Sequence, residues 1–200
     1  MNTGTTREPH RSLSEPFRTL LRGMASSVTI VSTESAKTRY GMIATAVMSL
    51  SLDPPALVLA VNRSASIHVP LHARGAFVIN VLSRWDEAVA RGFTRANGED
   101  RFAFGPWTTR RAADHAVDGL PYLANAQAVI FCRLLDTHQA GTHSLLTASV
   151  VDLAHNQERA PLVYCDGVYG SFVSTLETMR AGSCANFAGE AAVPASSGPN

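Results

Sequence analysis

The chain has 200 residues, 46% hydrophobic and 16% charged, which is enough to bury the core of one domain but tight for two. With a formal net charge of +1, the chain has no strong basic field of the kind expected of a protein that binds nucleic acid or an anionic membrane. No apolar run approaches a bilayer span, and the first residues lack the apolar core of a signal peptide, so we expect a cytoplasmic protein.

The first elements follow from local patterns. Residues 1–11 are polar and without periodicity, which predicts a flexible tail. Ser12 and Glu15 fit a capping box at the start of a helix. That helix would carry an apolar stripe at helical spacing, made of Phe17, Leu20, Leu21 and Met24. The run 27–33 is dense in β-branched residues and predicts the first strand, and the polar run 34–38 predicts a hairpin turn.

Residues 39–66 are the most informative part of the sequence. The apolar run 56–61 suits a strand buried on both faces, and Asp53-Pro54-Pro55 before it predicts a rigid turn. Before that turn, hydroxyl side chains occur on alternate residues, at Thr45, Ser49 and Ser51. An extended backbone would place all three on one side. The spacing fits either a row that receives a polar ligand or the solvent face of an ordinary strand.

A second polar group follows the run 56–61. Asn62, Ser64 and Ser66 precede a predicted short helix over 67–74. Hydroxyls at a helix N-terminus, with Arg63 beside them, suit a phosphate. The same residues also fit a plain turn and helix cap, with a solvated arginine.

The rest of the chain predicts mostly strands. We expect a strand over 76–82 and then a helix from Ser83 to residue 93, with inward-facing side chains at Trp85, Ala88, Val89 and Phe93. The mixed run 94–120 suits a loop-rich lid.

The second half of the chain predicts three more strands. The runs 126–136 and 143–153 read as long strands that are apolar on both faces, for which a dimer interface is one covering layer. A last strand over 161–165 would end at a turn, Asp166-Gly167. Many strands, few helices and no βαβ alternation favour a barrel.

Several short motifs resemble, in order and spacing, the flavin reductase-like family with the FMN-binding split barrel. They are Gly41-Met42, Ala44-Thr45-Ala46, the run 49–55, Asn62, Ser66, the run 77–82, Asp100-Arg101-Phe102, Gly119-Leu120-Pro121 and Gly141-Thr142-His143. The resemblance covers roughly residues 17–169. It implies a mainly β split barrel of Greek-key type with a few flanking helices over residues 12–176. From Ala181 the content of Ala, Gly, Ser and Pro rises and periodicity vanishes, so we expect a loosely ordered tail over 177–200.

The resemblance also implies a flavin site. In the family, backbone amides of the segment that matches 45–51 meet the flavin ring, and hydroxyls from it and from the next loop meet the ribityl and phosphate groups. The expected cofactor-binding residues are Thr45, Ala46, Val47, Ser49, Ser51, Asn62, Ser64, Ser66, Arg101 and Tyr169. Arg101 alternatively pairs with Asp100 or Glu99 on the surface, and Tyr169 is alternatively a core aromatic.

His143 is the expected catalytic residue, because the family places a histidine of a Gly-Asp-His motif near the flavin ring, where the nicotinamide is thought to stack. Here Thr142 stands where the family has the aspartate, so a carboxylate that could orient the imidazole is missing. Positioning is therefore expected of His143 rather than proton transfer.

Other chemistries find little support. His68 and His72 have a metal-ligand spacing, but Pro70 lies between them and no third ligand is near in sequence, so no metal is expected. There is no P-loop, no nucleophile elbow and no Rossmann glycine motif. Cys132, Cys165 and Cys184 form no CxxC pair, and their odd count argues against a disulfide framework.

The resemblance therefore implies an NAD(P)H-dependent flavin reductase. Such an enzyme reduces FMN, or FAD, with NADH or NADPH and supplies reduced flavin to a separate flavin-dependent monooxygenase, as a homodimer. Two rivals are an FMN-binding electron carrier on the same barrel and an oxidase of the pyridoxamine-phosphate type. The latter would need a denser basic phosphate site than Arg63 and Arg74 provide.

Overall fold

The computed structural model describes residues 10–156 and 160–174. Its helices are α1 (His10–Arg22), α2 (His68–Arg74) and α3 (Glu87–Arg95), with 3₁₀ turns at Arg84–Asp86 and Gly98–Ala103. Its strands are β1 (Ser26–Ser27), β2 (Thr29–Ser35), β3 (Thr38–Ala44), β4 (Val47–Leu52), β5 (Pro55–Asn62), β6 (Ala76–Val81), β7 (Trp107–Thr108), β8 (Tyr122–Leu123), β9 (Ala128–Ala140), β10 (His143–His155), β11 (Leu162–Cys165) and β12 (Val168–Ser171).

The main sheet has seven antiparallel strands in the order β3-β2-β6-β9-β10-β5-β4. Its edge strands, β3 and β4, are joined only by Thr45 and Ala46. Seven flat strands would hold their edges about 29 Å apart, whereas this link spans about 10 Å at most, so the sheet must curl until its edges meet at that end. The two edges do not pair with each other. The predicted mainly β split barrel is confirmed.

The centre of the sheet is buried on both faces. In β6, Phe77 lies in one apolar cluster with Leu59 beneath α2, and Val78 lies in a second cluster with Phe93 and Phe131 beneath α3. β2 and β6 supply residues to both clusters because successive side chains of a strand point to opposite faces. The core therefore lies on both sides of β2 and β6, and the sheet's β5 and β4 edge is covered less.

That uneven cover corrects one prediction. In β5, Leu57, Leu59 and Val61 are buried, but Val58 and Ala60 between them are only half-buried. The strand was expected to be buried on both faces. Its outer face lies open because no helix of the described residues packs over it.

The first helix also differs from expectation. α1 begins at His10, inside the predicted tail 1–11, and its apolar stripe is largely exposed, with Leu20 75% accessible. The stripe therefore contributes little to the core of the described chain. None of the described helices is long and apolar enough to cross a membrane.

The helix predicted from Ser83 to 93 exists, but its orientation was partly wrong. Phe93 is buried as expected, whereas Trp85 and Ala88 are exposed. The chain first forms the 3₁₀ turn Arg84–Asp86 and only then becomes α-helical. A 3₁₀ turn has 3.0 residues per turn and not 3.6, so it changes the phase of the side chains that precede α3.

The remaining differences lie after α3. Residues 94–120 do not form a lid, because Phe102, Val117 and Leu120 are buried in the core cluster beneath α3. The turn at Asp166-Gly167 is present and leads into β12, a strand that was not expected. The predicted loose tail over 177–200 lies outside the described residues, as do residues 1–9.

Candidate functional site

The link between the two edge strands leaves backbone open at one end of the barrel. Thr45 and Ala46 are both exposed. The hydroxyl of Thr29 donates to the Ala44 carbonyl over 2.7 Å, and the Ala60 amide donates to the Ala46 carbonyl over 3.1 Å. The link is therefore held from both sides, while its side chains and part of its backbone face outward.

Two cavities meet at this link. One, of about 460 Å³, is lined by Thr45, Ala46 and Tyr164, and by Arg18, Leu21, Arg22 and Met24 at the end of α1. The other, of about 330 Å³, enters the mouth of the barrel, where its lining includes Val47, Ile79, Val81 and Ile130. Both are lined by Ser26 and Thr45. Their volumes fall within the range of small-molecule sites, and their walls are mainly apolar.

The cavity beside α1 carries little free charge. The Arg18 guanidinium pairs with Glu15 at 2.9 Å, and the Arg22 guanidinium pairs with Asp166 at 3.0 Å. All four side chains are well exposed, so solvent screens these pairs. A ring system would thus meet aliphatic and aromatic walls here, with two partly neutralised cations at the rim.

The polar loop after β5 is organised by Asn62. Its Oδ1 accepts hydrogen bonds from the Ser64 amide and the Ser64 hydroxyl, each at 2.9 Å. This is an Asx turn, which directs the chain towards α2. Ser64 and Ser66 are exposed, whereas Ile67 at the end of the loop is buried. The loop therefore presents hydroxyls to solvent on an anchored backbone.

His143 lies directly beside this loop. It begins β10 and is the cross-strand partner of Asn62 in β5. Its imidazole is exposed, and its Nδ1 lies 2.9 Å from the hydroxyl of Thr142. Among the described residues Nε2 has no hydrogen-bond partner, so it is the ring nitrogen that a ligand can reach.

Two half-buried histidines lie behind the loop. His68 Nε2 is 3.0 Å from the Ser144 hydroxyl, and His72 contacts the His68 carbonyl and the Thr137 hydroxyl at 2.7 and 3.2 Å. Burial lowers the pKa of His68, and the positive charges of His72 and Arg63 lower it further. Within residues 10–156 and 160–174, no three metal-binding side chains lie together.

A family model described as "Flavin reductase like domain" matches residues 21–172. The chain belongs to the flavin reductase-like family. The predicted family membership is therefore confirmed.

Named relatives agree with this family. The chain is 34% identical to a protein named FMN reductase (NADH) RutF of Ancylobacter novellus, over 88% of this chain and 94% of the relative. It is also 34% identical to the protein of the same name of Agrobacterium fabrum, over 84% and 92% of the two chains.

Solved structures agree as well. BorF, the flavin reductase component of a bacterial two-component tryptophan halogenase, superposes with a TM-score of 0.70 at 27% identity, over 80% of this chain and 99% of BorF. A homologue of nitrilotriacetate monooxygenase component B from Mycobacterium thermoresistibile superposes with a TM-score of 0.73 at 26% identity, over 82% and 89% of the two chains.

In this flavin reductase-like chain, the structure brings most of the expected site residues to one end of the barrel. Val47 pairs with Leu59, so β4 begins where β5 approaches its end at Asn62. His143 lies across from Asn62 on the next strand. The group at this end is Thr45, Ala46, Val47, Asn62, Ser64, Ser66 and His143.

The two strand serines are placed differently. Ser49 pairs with Leu57 and Ser51 with Ala56, with a bulge between them. The bulge puts Ser49 on the face of buried Leu57 and Ser51 on the opposite face, so the expectation that Thr45, Ser49 and Ser51 share one side was wrong. The Ser51 hydroxyl donates to the Asp53 carbonyl at 3.1 Å and supports the proline turn.

Arg101 also lies away from this end. Its guanidinium donates to the Gly41 carbonyl at 2.6 Å and to the Ala96 carbonyl at 3.0 Å, which ties the 3₁₀ turn Gly98–Ala103 to β3. It does not pair with Glu99, which binds Arg39 instead. A cofactor contact by Arg101 stays a prediction without support from this geometry.

Tyr169 packs against the core cluster beneath α3 and does not line either cavity. Its ring lies 5.2 Å from that of its cross-strand partner Tyr164, and the Arg91 guanidinium stacks over its ring at 5.1 Å. Tyr164, not Tyr169, lines the cavity with Thr45 and Ala46. The sequence analysis did not predict that Tyr164 or the residues of α1 line this cavity. The signals that could have indicated them were the amphipathic stripe of α1 and the tyrosine in the last predicted strand.

Proposed function

We propose that this chain is an NADH-dependent flavin reductase that reduces FMN and supplies reduced FMN to a separate flavin-dependent monooxygenase. One observation carries the proposal: the exposed link at 45–47 lines two mainly apolar cavities, and it lies beside the end of β5, where the hydroxyl-bearing loop 62–66 begins and His143 pairs with Asn62. The relatives named FMN reductase (NADH) support the choice of flavin and nicotinamide. The names of two solved neighbours support a partner oxygenase or halogenase.

The residues present fit a flavin. An isoalloxazine requires polar backbone at its pyrimidine edge and apolar cover on its faces, and its side chain requires hydroxyl and anion-binding partners. The exposed link at Thr45 and Ala46 offers polar backbone for the pyrimidine edge, and the cavity walls at Val47 and Tyr164 offer apolar cover for the ring faces. The hydroxyls of Ser64 and Ser66 offer hydrogen-bond partners for the ribityl and phosphate groups. Contacts of Ser49 and Ser51 with the ribityl chain stay predictions without support from this geometry, because the two serines lie on opposite faces of β4.

The chemistry asks little of the protein beyond placement. Bound flavin supplies a hydride acceptor, so no side chain needs to act as acid, base or nucleophile. We propose that Thr45, Ala46 and Val47 orient the ring through their backbone and that His143 positions the nicotinamide. The apolar walls exclude water from the space between the two rings, which favours hydride transfer over side reactions.

The test is spectrophotometric. Purified protein would be assayed for NADH and NADPH oxidation with FMN and with FAD, while flavin is raised far above the enzyme concentration. We expect continuous turnover that saturates in FMN and favours NADH. Tight stoichiometric FMN binding without nicotinamide oxidation would replace this proposal with the electron-carrier alternative.

A matched pair of histidine variants tests the proposed site. His143 and His155 are both exposed and occupy opposite ends of β10. We expect His143→Gln to lower kcat/KM for NADH about tenfold, through loss of nicotinamide positioning, and His155→Gln to leave it unchanged. Equal effects of the two substitutions would remove His143 from the proposed site.

We further propose that the chain forms a homodimer through the outer face of β4, β5 and β10. This face exposes Met48, Leu50 and Leu145, beside half-buried Val58. A contiguous apolar surface of this kind is typical of an interface. Sedimentation should give twice the chain mass for the natural protein and the monomer mass for Met48→Asp. A monomeric natural protein would contradict the dimer but leave the proposed activity untouched.

A further inference from the structure

Arg63 contacts the turn before His143 with both its backbone and its side chain. Its amide donates to the Thr142 carbonyl at 3.0 Å, and its Nη2 donates to the Gly141 carbonyl at 3.0 Å. Its Nη1 reaches Gln139 Oε1 at 3.4 Å. The guanidinium therefore lies against the connection between β9 and β10.

That connection determines where His143 lies. Gly141 adopts a left-handed φ of +58°, which favours glycine, so the chain reverses sharply there. Thr142 follows, and its hydroxyl meets Nδ1 of His143 at 2.9 Å. Anything that holds the carbonyls of Gly141 and Thr142 therefore also holds the side chain that orients the imidazole.

Ser144, which follows His143 in sequence, is also held by a residue close to Arg63. Nε2 of His68, which begins α2, lies 3.0 Å from the buried hydroxyl of Ser144. The two residues that flank His143 in sequence are thus each held by a hydrogen bond. Arg63 holds Thr142, and His68 holds Ser144. Arg63 and His68 lie on either side of Ser64 and Ser66 in the sequence, so one segment, 63–68, makes both hydrogen bonds.

We propose that Arg63 is a positioning residue, which holds the Gly141–Thr142 turn so that Thr142 orients the imidazole of His143 at the flavin site. The alternative is that Arg63 binds the flavin phosphate. A guanidinium fork directed at the Gly141 carbonyl and the Gln139 amide oxygen is already engaged by neutral acceptors. The inference rests on the proposed function, because it assigns His143 a role beside bound flavin.

The first experiment compares FMN with riboflavin, which lacks the phosphate, in the natural protein and in Arg63→Met and Arg63→Lys. We expect both variants to lower kcat/KM for NADH about fivefold with either flavin, the factor that one ordinary hydrogen bond represents. Lysine keeps the charge but not the fork, so it should not rescue the activity. A loss confined to FMN, with rescue by lysine, would make Arg63 a phosphate ligand and overturn the proposal.

The second experiment needs no flavin. The imidazole of His143 would be followed by NMR in histidine-labelled protein, assigned with His143→Gln, with His155 as an internal control. We expect Arg63→Met and Thr142→Val each to shift the ring signals of His143, and a double variant to add little, since both act through one path. His143 signals that are unchanged in Arg63→Met would overturn the proposal.

The two experiments separate the two hypotheses. If the natural protein oxidises no nicotinamide with any flavin, the proposed function fails, while the NMR measurement still decides whether Arg63 positions His143. The variants should keep the thermal midpoint of the natural protein within about 3 °C, because the side chain of Arg63 is exposed and only surface contacts change. The backbone hydrogen bond from the Arg63 amide remains in every variant.

Discussion

Gly41 occupies a position in β3 that has no room for a side chain. A Cβ placed there would lie 2.7 Å from Cε1 and 3.0 Å from Cζ of Phe93, and 3.3 Å from Cζ of Phe102. Phe93 and Phe102 are 1% and 5% exposed and meet edge to face at 5.5 Å. Neither ring can move into solvent to admit a methyl group.

The substitution Gly41→Ala should therefore destabilise the fold. Non-bonded carbons rest at about 3.5–4.0 Å, so the new methyl is about 1 Å too close to a buried ring. Overpacking of this kind costs about 1–3 kcal/mol, against a gain of about 0.5–1 kcal/mol from a stiffer unfolded chain. Because both rings are enclosed, we expect a net loss of about 2 kcal/mol.

Urea unfolding at one fixed protein concentration measures this loss. With a slope of about 2 kcal/mol per molar, the midpoint should fall by about 1 M. Gly170→Ala is the matched control, because it also lies in a strand and a Cβ there meets no atom within 4 Å. Equal midpoints for Gly41→Ala and Gly170→Ala would refute the reasoning.

Three further predictions concern the core and its titrating groups. Leu59 of β5 is fully buried beneath α2, so Leu59→Ala should cost about 2–5 kcal/mol in urea unfolding, and a loss below about 1 kcal/mol would contradict the burial. Burial raises the pKa of the Cys132 thiol to about 12, so in folded protein at pH 8 a maleimide should label half-exposed Cys165 and spare Cys132, as read by peptide mass spectrometry; labelling of both would contradict this. Burial and two positive neighbours lower the pKa of His68, so the unfolded chain binds the proton more readily and stability should fall as pH drops below about 6.5. His68→Gln should flatten that fall between about pH 6.5 and 5, and an unchanged slope would exclude His68 as its source.

The local elements could be predicted because their signals lie within a few residues. The β-branched run 27–33, the proline turn at 53–55 and the apolar run 76–82 all became strands or turns close to the expected positions. The motif order likewise indicated the family. Helical phase could not be read in the same way, because the 3₁₀ turn at Arg84–Asp86 rotates Trp85 outward. The carboxylate of buried Asp86 accepts hydrogen bonds from Ser83 within the turn and also from the side-chain amide of Asn125, 39 residues further along the chain.

The sequence by itself determined the elements and the residue types of the candidate site, because propensity, turn chemistry and motif spacing act over short distances. Only the tertiary structure decided which of those residues meet. Long-range strand pairing puts His143 beside Asn62 and places the bulge that separates Ser49 from Ser51. It also brings Tyr164, rather than Tyr169, to the cavity at Thr45. The physical reason is that a strand's neighbours and register are set by the burial of whole sheet faces, which no local window of sequence contains.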